Sequence, residues 1–338
     1  MSELPSSRRK FIKSGVATGI GMGALSGCIG GGGGGGPTPL SLAFTVPVEN
    51  ISSLMGIPEI QKELSNLGEA YTLSVSRNSA TPDTLNQMAA GEVDIGLLSS
   101  VSFSNAVIKE AVPGNIQLIA TDFWDAHPDW YGFEVYSMPD SGITEPEDME
   151  GKKVATNATG TGTHAVYVKM FEKIGLTPGE NVEIVELGFP NMTAALKEGR
   201  IDCAMYPALF APQARGAGFN LVFSSQDVWE RYPFAYLTTP NSVIDKKKDA
   251  LDAWGKDYLS LLDYVYNNRD TVVGLAAEHF GIPEKVIDAF FLTHNDYFRK
   301  DPVTSVQRMQ EVVNDLAQLG MIEKFQVDGY IDNQFIKQ

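Results

Sequence analysis

Tyr131-Gly-Phe-Glu-Val-Tyr136 and Phe234-Ala-Tyr-Leu-Thr-Thr239 are two extended aromatic stretches that separate two series of alternating strand and helix patterns. Short runs rich in aromatic and β-branched residues favour strands. A chain that leaves one lobe, builds a second and returns forms a two-lobed clamshell, with a cleft where open α/β sheets bind ligands. We therefore predict an α/β clamshell with lobe I at 40–132 plus 236–338 and lobe II at 133–235.

The residues on either side of these two stretches follow strand and helix periodicities. The first series predicts strands at 40–46, 71–76, 93–98 and 116–121, and helices at 57–67, 82–90 and 101–110. The second predicts strands at 153–155, 182–187 and 201–205, and helices at 163–174, 191–199 and 207–216. Alternation of this kind is typical of a parallel sheet covered by helices, and the chain after residue 246 is mainly helical in pattern.

The N-terminal residues have the pattern of an export signal. Arg8 and Arg9 begin a stretch similar to a twin-arginine signal, and Leu25-Ser-Gly-Cys28 is similar to a lipobox. The apolar segment 15–25 is far shorter than the roughly 20 residues that span a bilayer. We predict a signal peptide at 1–27, lipidation of Cys28, a glycine-rich linker at 28–39, and a protein anchored to the outer face of the cytoplasmic membrane.

The acidic composition excludes a nucleic-acid-binding role. The whole chain has a formal charge of −16, and removal of 1–27 takes four basic residues and one acidic residue and leaves −19. Phosphate backbones would be repelled, and the largest basic cluster is 246–248.

With only Cys28 and Cys203 present, no disulfide framework is possible, and Cys203 is predicted to be a small buried strand residue. We expect a monomer.

Several motifs together resemble a transporter family. They are Gly91-Glu-Val-Asp-Ile-Gly96, Asp148-Met-Glu-Gly-Lys-Lys-Val-Ala155, Gly160 to His164, Glu186-Leu-Gly-Phe-Pro-Asn-Met192, Ala194 to Asp202, and Val327-Asp-Gly-Tyr-Ile-Asp-Asn333. Residues 40 to 335 thereby resemble the nitrate/taurine/aliphatic-sulfonate class of ABC-importer solute-binding proteins, which also contains binders of thiamine-precursor-like pyrimidines and of riboflavin-like vitamin precursors. The resemblance implies a type II periplasmic-binding fold with mixed sheets, a small organic or oxyanionic ligand, and ABC permease and ATPase partners. A receptor for a TRAP transporter is the alternative.

The clearest candidate ligand element is the turn Thr159-Gly-Thr-Gly-Thr163, between a predicted strand and helix. Free N–H groups and the helix dipole would favour an anionic or carbonyl oxygen there, although Thr161 or Thr163 could instead only cap the helix. Other candidates follow strands at the predicted cleft. The full set is Thr45, Ser99, Ser100, Thr121, Trp124, Thr159, Gly160, Thr161, Gly162, Thr163, Phe189, Asn191 and Tyr206. Aromatic rings in the set could stack on a flat ligand or only pack the hinge.

We considered catalytic and metal sites and predict neither, nor a cofactor. No Gly-x-Ser-x-Gly, His-Glu-x-x-His or coenzyme-binding glycine motif is present. Asp122, Asp125, His127 and Asp129 lack the spacing of a calcium loop, so we interpret them as solvated turn residues. A pyrimidine-precursor synthase of similar fold and a surface sensor are the remaining alternatives, because fold alone decides neither.

Overall fold

The computed structural model describes residues 36–125, 131–293 and 300–337. The predictions for Arg8, Arg9 and Cys28, and those for His127 and Asp129, therefore lie outside the described residues. In the described ranges, no helix combines the length and the apolar composition that crossing a membrane requires.

Ten strands and ten helices form the described part of the chain. The strands are β1 (Thr38–Phe44), β2 (Tyr71–Arg77), β3 (Ile95–Ser99), β4 (Ile116–Asp125), β5 (Phe133–Ser137), β6 (Lys153–Thr156), β7 (Glu183–Glu186), β8 (Cys203–Pro207), β9 (Asn220–Ser224) and β10 (Tyr232–Pro240). The helices are α1 (Pro58–Gln61), α2 (Thr81–Ala90), α3 (Ser100–Ile108), α4 (Gly162–Ile174), α5 (Phe189–Lys197), α6 (Ala211–Gly216), α7 (Asn241–Asn267), α8 (Arg269–Phe280), α9 (Glu284–Asp288) and α10 (Val306–Gln318).

The strands form two five-stranded sheets, in the orders β2-β1-β3-β10-β4 and β7-β6-β8-β5-β9. In each sheet the fourth strand is antiparallel to both of its neighbours: β10 between β3 and β4, and β5 between β8 and β9. These two strands are the aromatic stretches that separate the two series in the sequence. The prediction of a mixed α/β clamshell with two sheets is confirmed.

The boundaries of the two lobes follow from where β10 pairs. All of β10 pairs within the first sheet, from Tyr232 opposite Asp125 to Pro240 opposite Ile116. Its first residues are thus held by the same hydrogen-bonded ladder as its last. We propose that the second lobe covers about 133–231, somewhat shorter than the sequence pattern indicates.

The predicted helix at 57–67 is wrong in extent. The structure has a 3-10 helix at Ile51–Gly56 and the four-residue helix α1, followed by turns. The backbone N–H of Asn66 donates to both carboxylate oxygens of Asp257 on α7, each at 3.2 Å. Because that N–H is committed to a distant residue, it cannot continue an α-helical ladder, so tertiary contact overrides local propensity.

The C-terminal segment packs onto the first sheet and α7. The N–H of Asp332 donates to the carbonyl of Leu118 in β4 at 2.8 Å. At Gly255, inside α7, a Cβ would lie only 1.8 Å from the carbonyl oxygen of Phe335. A glycine there lets the two backbones touch, so the last residues complete the first lobe rather than trail from it.

Candidate functional site

A small cavity lies where the two sheets face each other, and we call it the central cavity. Its volume is about 30 Å³, and its lining residues are Thr45, Val46, Glu49, Asn50, Thr81, Leu97, Ser99, Phe123, Phe133, Asn157, Thr161, Gly162, Thr163, Phe189, Phe234 and Ala235. Six of the predicted site residues line it: Thr45, Ser99, Thr161, Gly162, Thr163 and Phe189. Both lobes therefore contribute residues to one space.

The second lobe contributes the N-terminus of α4. Thr161 is the N-cap residue, and its hydroxyl accepts the N–H of His164 at 3.4 Å and donates to the carbonyl of Ala158 at 2.7 Å. Thr163 donates to the side-chain oxygen of Asn157 at 2.5 Å. Among the described residues, no protein acceptor is found for the N–H groups of Gly162 and Thr163. Such free donors at a helix N-terminus favour an anionic or carbonyl oxygen.

The first lobe contributes polar groups at the ends of β1 and β3. Asn50 accepts the backbone N–H of Thr45 at 3.1 Å and that of Val46 at 2.7 Å. Ser99 caps α3 by accepting the N–H of Ser102 at 3.2 Å. The hydroxyl of Ser102 in turn donates to the carbonyl of Gly160 at 3.2 Å. This last hydrogen bond joins α3 of the first lobe directly to the ligand turn of the second.

Three phenylalanines from the strands next to the crossings form one wall of the central cavity. The ring of Phe234 lies 4.5 Å from that of Phe133 and 6.0 Å from that of Phe123, centroid to centroid. A Cβ placed on Gly162 would be 2.5 Å from the Phe234 ring. The sequence analysis did not select these phenylalanines. They could have been found, because a strand that crosses between lobes must border the cleft.

The other predicted residues lie outside the central cavity. Ser100 bonds the Tyr232 hydroxyl at 2.5 Å, Thr121 bonds Thr304 at 2.9 Å, and the buried Tyr206 bonds Thr193 at 3.1 Å. Thr159 is exposed and donates its N–H to Glu186 at 2.8 Å. Trp124 is half-buried opposite Pro233, Asn191 is exposed, and Gly160 contacts α3 through its carbonyl. Most of these side chains are held by structural hydrogen bonds.

Two ionisable groups flank the turn before α4. Hydrogen bonds from the side chain and backbone of Thr159 hold the pKa of Glu186 below its ordinary value. Burial lowers the pKa of His164, against the opposing charge of Glu186. The Nδ1 of His164 accepts the N–H of Gly160 at 3.2 Å. Neutral His164 is thus the form that supports the turn, since protonated Nδ1 could not accept.

The structure corrects our interpretation of two acidic residues. Asp122 and Asp125 are buried in β4, not solvated, and each accepts hydrogen bonds from other parts of the chain. Asp122 accepts the N–H of Ser52 at 3.2 Å and the hydroxyl of Tyr258 at 3.0 Å. Asp125 accepts the N–H of Gly132 at 2.6 Å and the hydroxyl of Ser225 at 2.7 Å. No group of three metal-ligating side chains is found in the described part of the chain.

Cys203 lies buried in β8, as predicted. Burial raises the pKa of its thiol to about 12. A thiol with so high a pKa is protonated at physiological pH and is a poor nucleophile. The environment of Cys203 therefore gives no support to covalent chemistry at this position.

A much larger cavity, which we call the lateral cavity, adjoins the central one and has a volume of about 980 Å³. Its lining residues are Phe44, Pro47, Ser53, Gly56, Gln61, Leu73, Val75, Arg77, Pro190, Leu209, Phe210, Pro212, Gln213, Gly216, His279, Phe280, Ile282, Pro283, Lys285 and Val286. None of them is in the predicted set of ligand-binding residues, although the sequence does place Pro190, Leu209 and Phe210 after strands at the predicted cleft. The lining residues come from five separated segments, which only the folded chain brings together.

Comparison with protein families identifies the chain. The model of the NMT1-like family matches residues 36–277. The chain belongs to this family. Comparison with curated protein sequences gives no match.

Solved structures share the fold at low sequence identity. The alkanesulfonate-binding protein SsuA from Xanthomonas axonopodis pv. citri, bound to MOPS, is 13% identical with a TM-score of 0.72, over 88% of this chain and 99% of that one. The periplasmic nitrate-binding protein NrtA from Synechocystis is 11% identical with a TM-score of 0.70, over 88% and 87%. A ligand-binding component of an ABC-type import system from Staphylococcus aureus, with zinc bound, is 16% identical with a TM-score of 0.71, over 89% and 98%. The chain therefore has the fold of ABC-type solute-binding proteins.

Proposed function

We propose that this member of the NMT1-like family is the extracytoplasmic solute-binding lipoprotein of an ABC importer. It captures a small organic or oxyanionic nutrient and delivers it to a membrane permease, without bond chemistry. The shared fold of solute-binding proteins and the export and lipobox patterns at Arg8, Arg9 and Cys28 support the proposal.

One observation carries the proposal: the N-terminus of α4 opens into a cavity that residues of both lobes enclose. The free N–H groups of Gly162 and Thr163 can donate to an oxygen of the solute, and Thr45 and Ser99 line the same space from the first lobe. Hydrogen bonds to a charged group contribute about 1.5–3 kcal/mol each. A solute that contacts both lobes is bound more strongly by the closed form than by an open one.

Glu49 indicates which functional groups the expected solute has. Glu49 is 2% exposed and lines the same central cavity as the α4 N-terminus. A carboxylate and a set of N–H donors around one cavity complement a solute that has both an acceptor oxygen and an N–H donor. Amine-bearing sulfonates have this combination, and aminopyrimidines combine an N–H donor with a ring-nitrogen acceptor, whereas nitrate has acceptors alone.

The test is calorimetry with matched solutes: taurine against ethanesulfonate, which differ in the amine, together with nitrate, succinate and an aminopyrimidine. We expect a member with an amine to bind at least tenfold more tightly than its counterpart without one. Glu49→Gln should reduce that preference, whereas Glu59→Gln, at an exposed glutamate on α1, should keep it. Absence of binding by every member would overturn the proposal.

A further inference from the structure

Gly160 is hydrogen-bonded through both of its backbone groups, one to each lobe. Its N–H donates to Nδ1 of His164 in the second lobe at 3.2 Å, and its carbonyl accepts the hydroxyl of Ser102 in the first lobe at 3.2 Å. Its φ of 70° lies in the left-handed region, which glycine adopts without steric cost. One backbone residue therefore connects the imidazole of His164 to a contact between the two lobes.

Ser102 is held in place by other hydroxyl groups of the first lobe. Its hydroxyl oxygen lies 2.8 Å from that of Thr81 and accepts the hydroxyl of Ser99 at 3.1 Å. A serine hydroxyl has one proton to donate, and here it goes to the carbonyl of Gly160. Thr81 and Ser99 also line the central cavity, so the hydrogen bond between the lobes and the solute space share residues.

The turn before α4 is supported by two acceptor side chains of the second lobe. Glu186 of β7 accepts the N–H of Thr159 at 2.8 Å, and His164 accepts the next N–H, that of Gly160. An imidazolium ring has two donors and no acceptor. Protonation of His164 would therefore set its Nδ1–H against the N–H of Gly160, and the turn could not keep its present geometry.

The charged groups around His164 do not stabilise its protonated form enough to offset burial. α3 packs against α4 and has no ionisable side chain along its length. The 3-10 helix Pro146–Met149, which also contacts α4, has Glu147 and Asp148. The field of Glu186 raises the pKa of His164, but burial has the larger effect and lowers it from about 6.5. His164 is thus neutral at pH 7 and gains a proton as the pH falls below about 6.5.

We propose that neutral His164 is a positioning residue for the closed form: it holds Gly160 so that the carbonyl reaches Ser102 while the N–H groups of Gly162 and Thr163 stay available to the solute. Its protonation then releases the turn, separates the lobes and lowers the affinity for solute. This inference rests on the proposed function, because it concerns the regulation of the same solute site. Acidification is thereby a signal for solute release.

The direction of the pH effect follows from linkage. The closed form requires the neutral ring of His164, so affinity is full above about pH 7 and is lost as the pH falls through its pKa. Coupling is reciprocal: if protonation disfavours closure, closure disfavours protonation by the same factor. The inference can therefore be tested from the solute side and from the proton side.

The first test measures affinity by calorimetry at pH 7.5 and pH 5. Ethanesulfonate and taurine are the probes, because their charges hardly change over this range. The wild type should bind them at least about threefold more weakly at pH 5. His164→Asn keeps an acceptor for Gly160 that does not titrate, so its affinity should be equal at both values. Glu49 stays intact in that variant, and wild-type pH dependence retained in His164→Asn would overturn the inference.

A matched pair of charge variants on β7 tests the role of His164 further. Glu186→Gln keeps an acceptor for Thr159 but removes the field that raises the pKa of His164, so the pH at which binding of the tighter probe is half lost should fall by about 0.3 units. Glu183→Gln is the control, at an exposed residue that pairs with Lys153 at 3.4 Å. An unchanged or raised midpoint in Glu186→Gln would contradict the inference.

The second test needs no solute. Nuclear magnetic resonance of the imidazole ring, assigned by its loss in His164→Asn, gives the tautomer and the pKa of His164. The neutral ring should have its proton on Nε2, and Ser102→Ala should raise the pKa by at least about 0.3 units, because an open form no longer opposes protonation. Ser104→Ala is the control, since its hydroxyl bonds within α3 to the carbonyl of Ser100. An unchanged pKa in Ser102→Ala, or a neutral ring protonated at Nδ1, would overturn the inference.

The two proposals fail in different ways. If a probe binds equally at both pH values and the pKa of His164 is the same in the wild type and Ser102→Ala, the inference is wrong and the proposed function stands. If no small solute binds at either pH but Ser102→Ala raises the pKa, the coupling of His164 to the contact between the lobes stands and the proposed function fails.

Discussion

At Gly162 the sequence and the structure indicate different close neighbours. The sequence indicates a glycine that lets a ligand approach the backbone of a helix N-terminus. In the structure the close neighbour is Phe234, whose ring would be 2.5 Å from a Cβ at this position. The glycine is therefore required for the close packing of one lobe on the other that this structure shows.

Gly162→Ala should destabilise the solute-bound, closed protein by about 1–3 kcal/mol, because the added methyl group overpacks the contact with Phe234, so the denaturation is done at saturating solute. Chemical denaturation of the variant measures the change. Gly188→Ala is the control, since a Cβ at Gly188 has only ordinary contacts, the nearest at 3.9 Å. Replacing Phe234 by leucine in the Gly162→Ala background should restore part of the loss. An unchanged free energy of unfolding in Gly162→Ala would show that Phe234 moves aside without cost.

At the scale of elements, α4 combines a structural cap with a binding surface. Thr161 caps the helix through its hydroxyl, and the same residue lines the central cavity. The two roles that the sequence left as alternatives are therefore compatible. α10 has a matching cap, with the Ser305 hydroxyl accepting the N–H of Arg308 at 3.3 Å, but Ser305 does not line either cavity.

Thr161→Ala and Ser305→Ala should each cost about 0.5–2 kcal/mol of stability, because each removes an N-cap hydrogen bond. Thermal unfolding measures this loss in both variants. Only Thr161→Ala should also weaken the tightest-binding small solute, by at least threefold in calorimetry. An equal loss of solute affinity in Ser305→Ala would mean that general stability, not the α4 N-terminus, controls binding.

At the scale of the whole molecule, the volume of the central cavity decides whether a solute can enter between the lobes. The central cavity, at about 30 Å³, is an order of magnitude smaller than pockets that bind organic ligands, about 300–1,000 Å³. The hydrogen bond from Ser102 to Gly160 also joins the two lobes. A solute can enter the central cavity only if the lobes separate, so binding and lobe movement must be linked.

The solute-free protein in solution should therefore populate an open form, and saturating solute should reduce its radius of gyration. Small-angle X-ray scattering with and without the tightest-binding solute measures the change. Ser102→Ala removes the hydrogen bond to Gly160 and should make the solute-free form more open without abolishing closure. A radius of gyration that is identical with and without bound solute would contradict a clamshell mechanism.

The export and anchor prediction also concerns the whole molecule and rests on sequence alone. Cys28→Ser should release a soluble form, because the proposed lipid attachment site is lost, while Arg8→Lys combined with Arg9→Lys should retain precursor in the cytoplasm. Detergent-phase partitioning and cell fractionation give the two readouts. Membrane-bound Cys28→Ser protein would contradict lipidation at this cysteine.

The sequence by itself determined the two-lobed α/β fold, the two crossing strands, and the turn at 159–163, because strand and helix periodicities and glycine turns are local signals. It did not determine Glu49, Asn157, Phe234 or the lateral cavity, whose residues lie far apart in the chain. It also misplaced Asp122 and Asp125, since their burial depends on Ser52, Ser225 and Tyr258 arriving from other elements. Local patterns fix which elements form; only tertiary packing decides which side chains share a cavity, how much space remains there, and which charges meet in it.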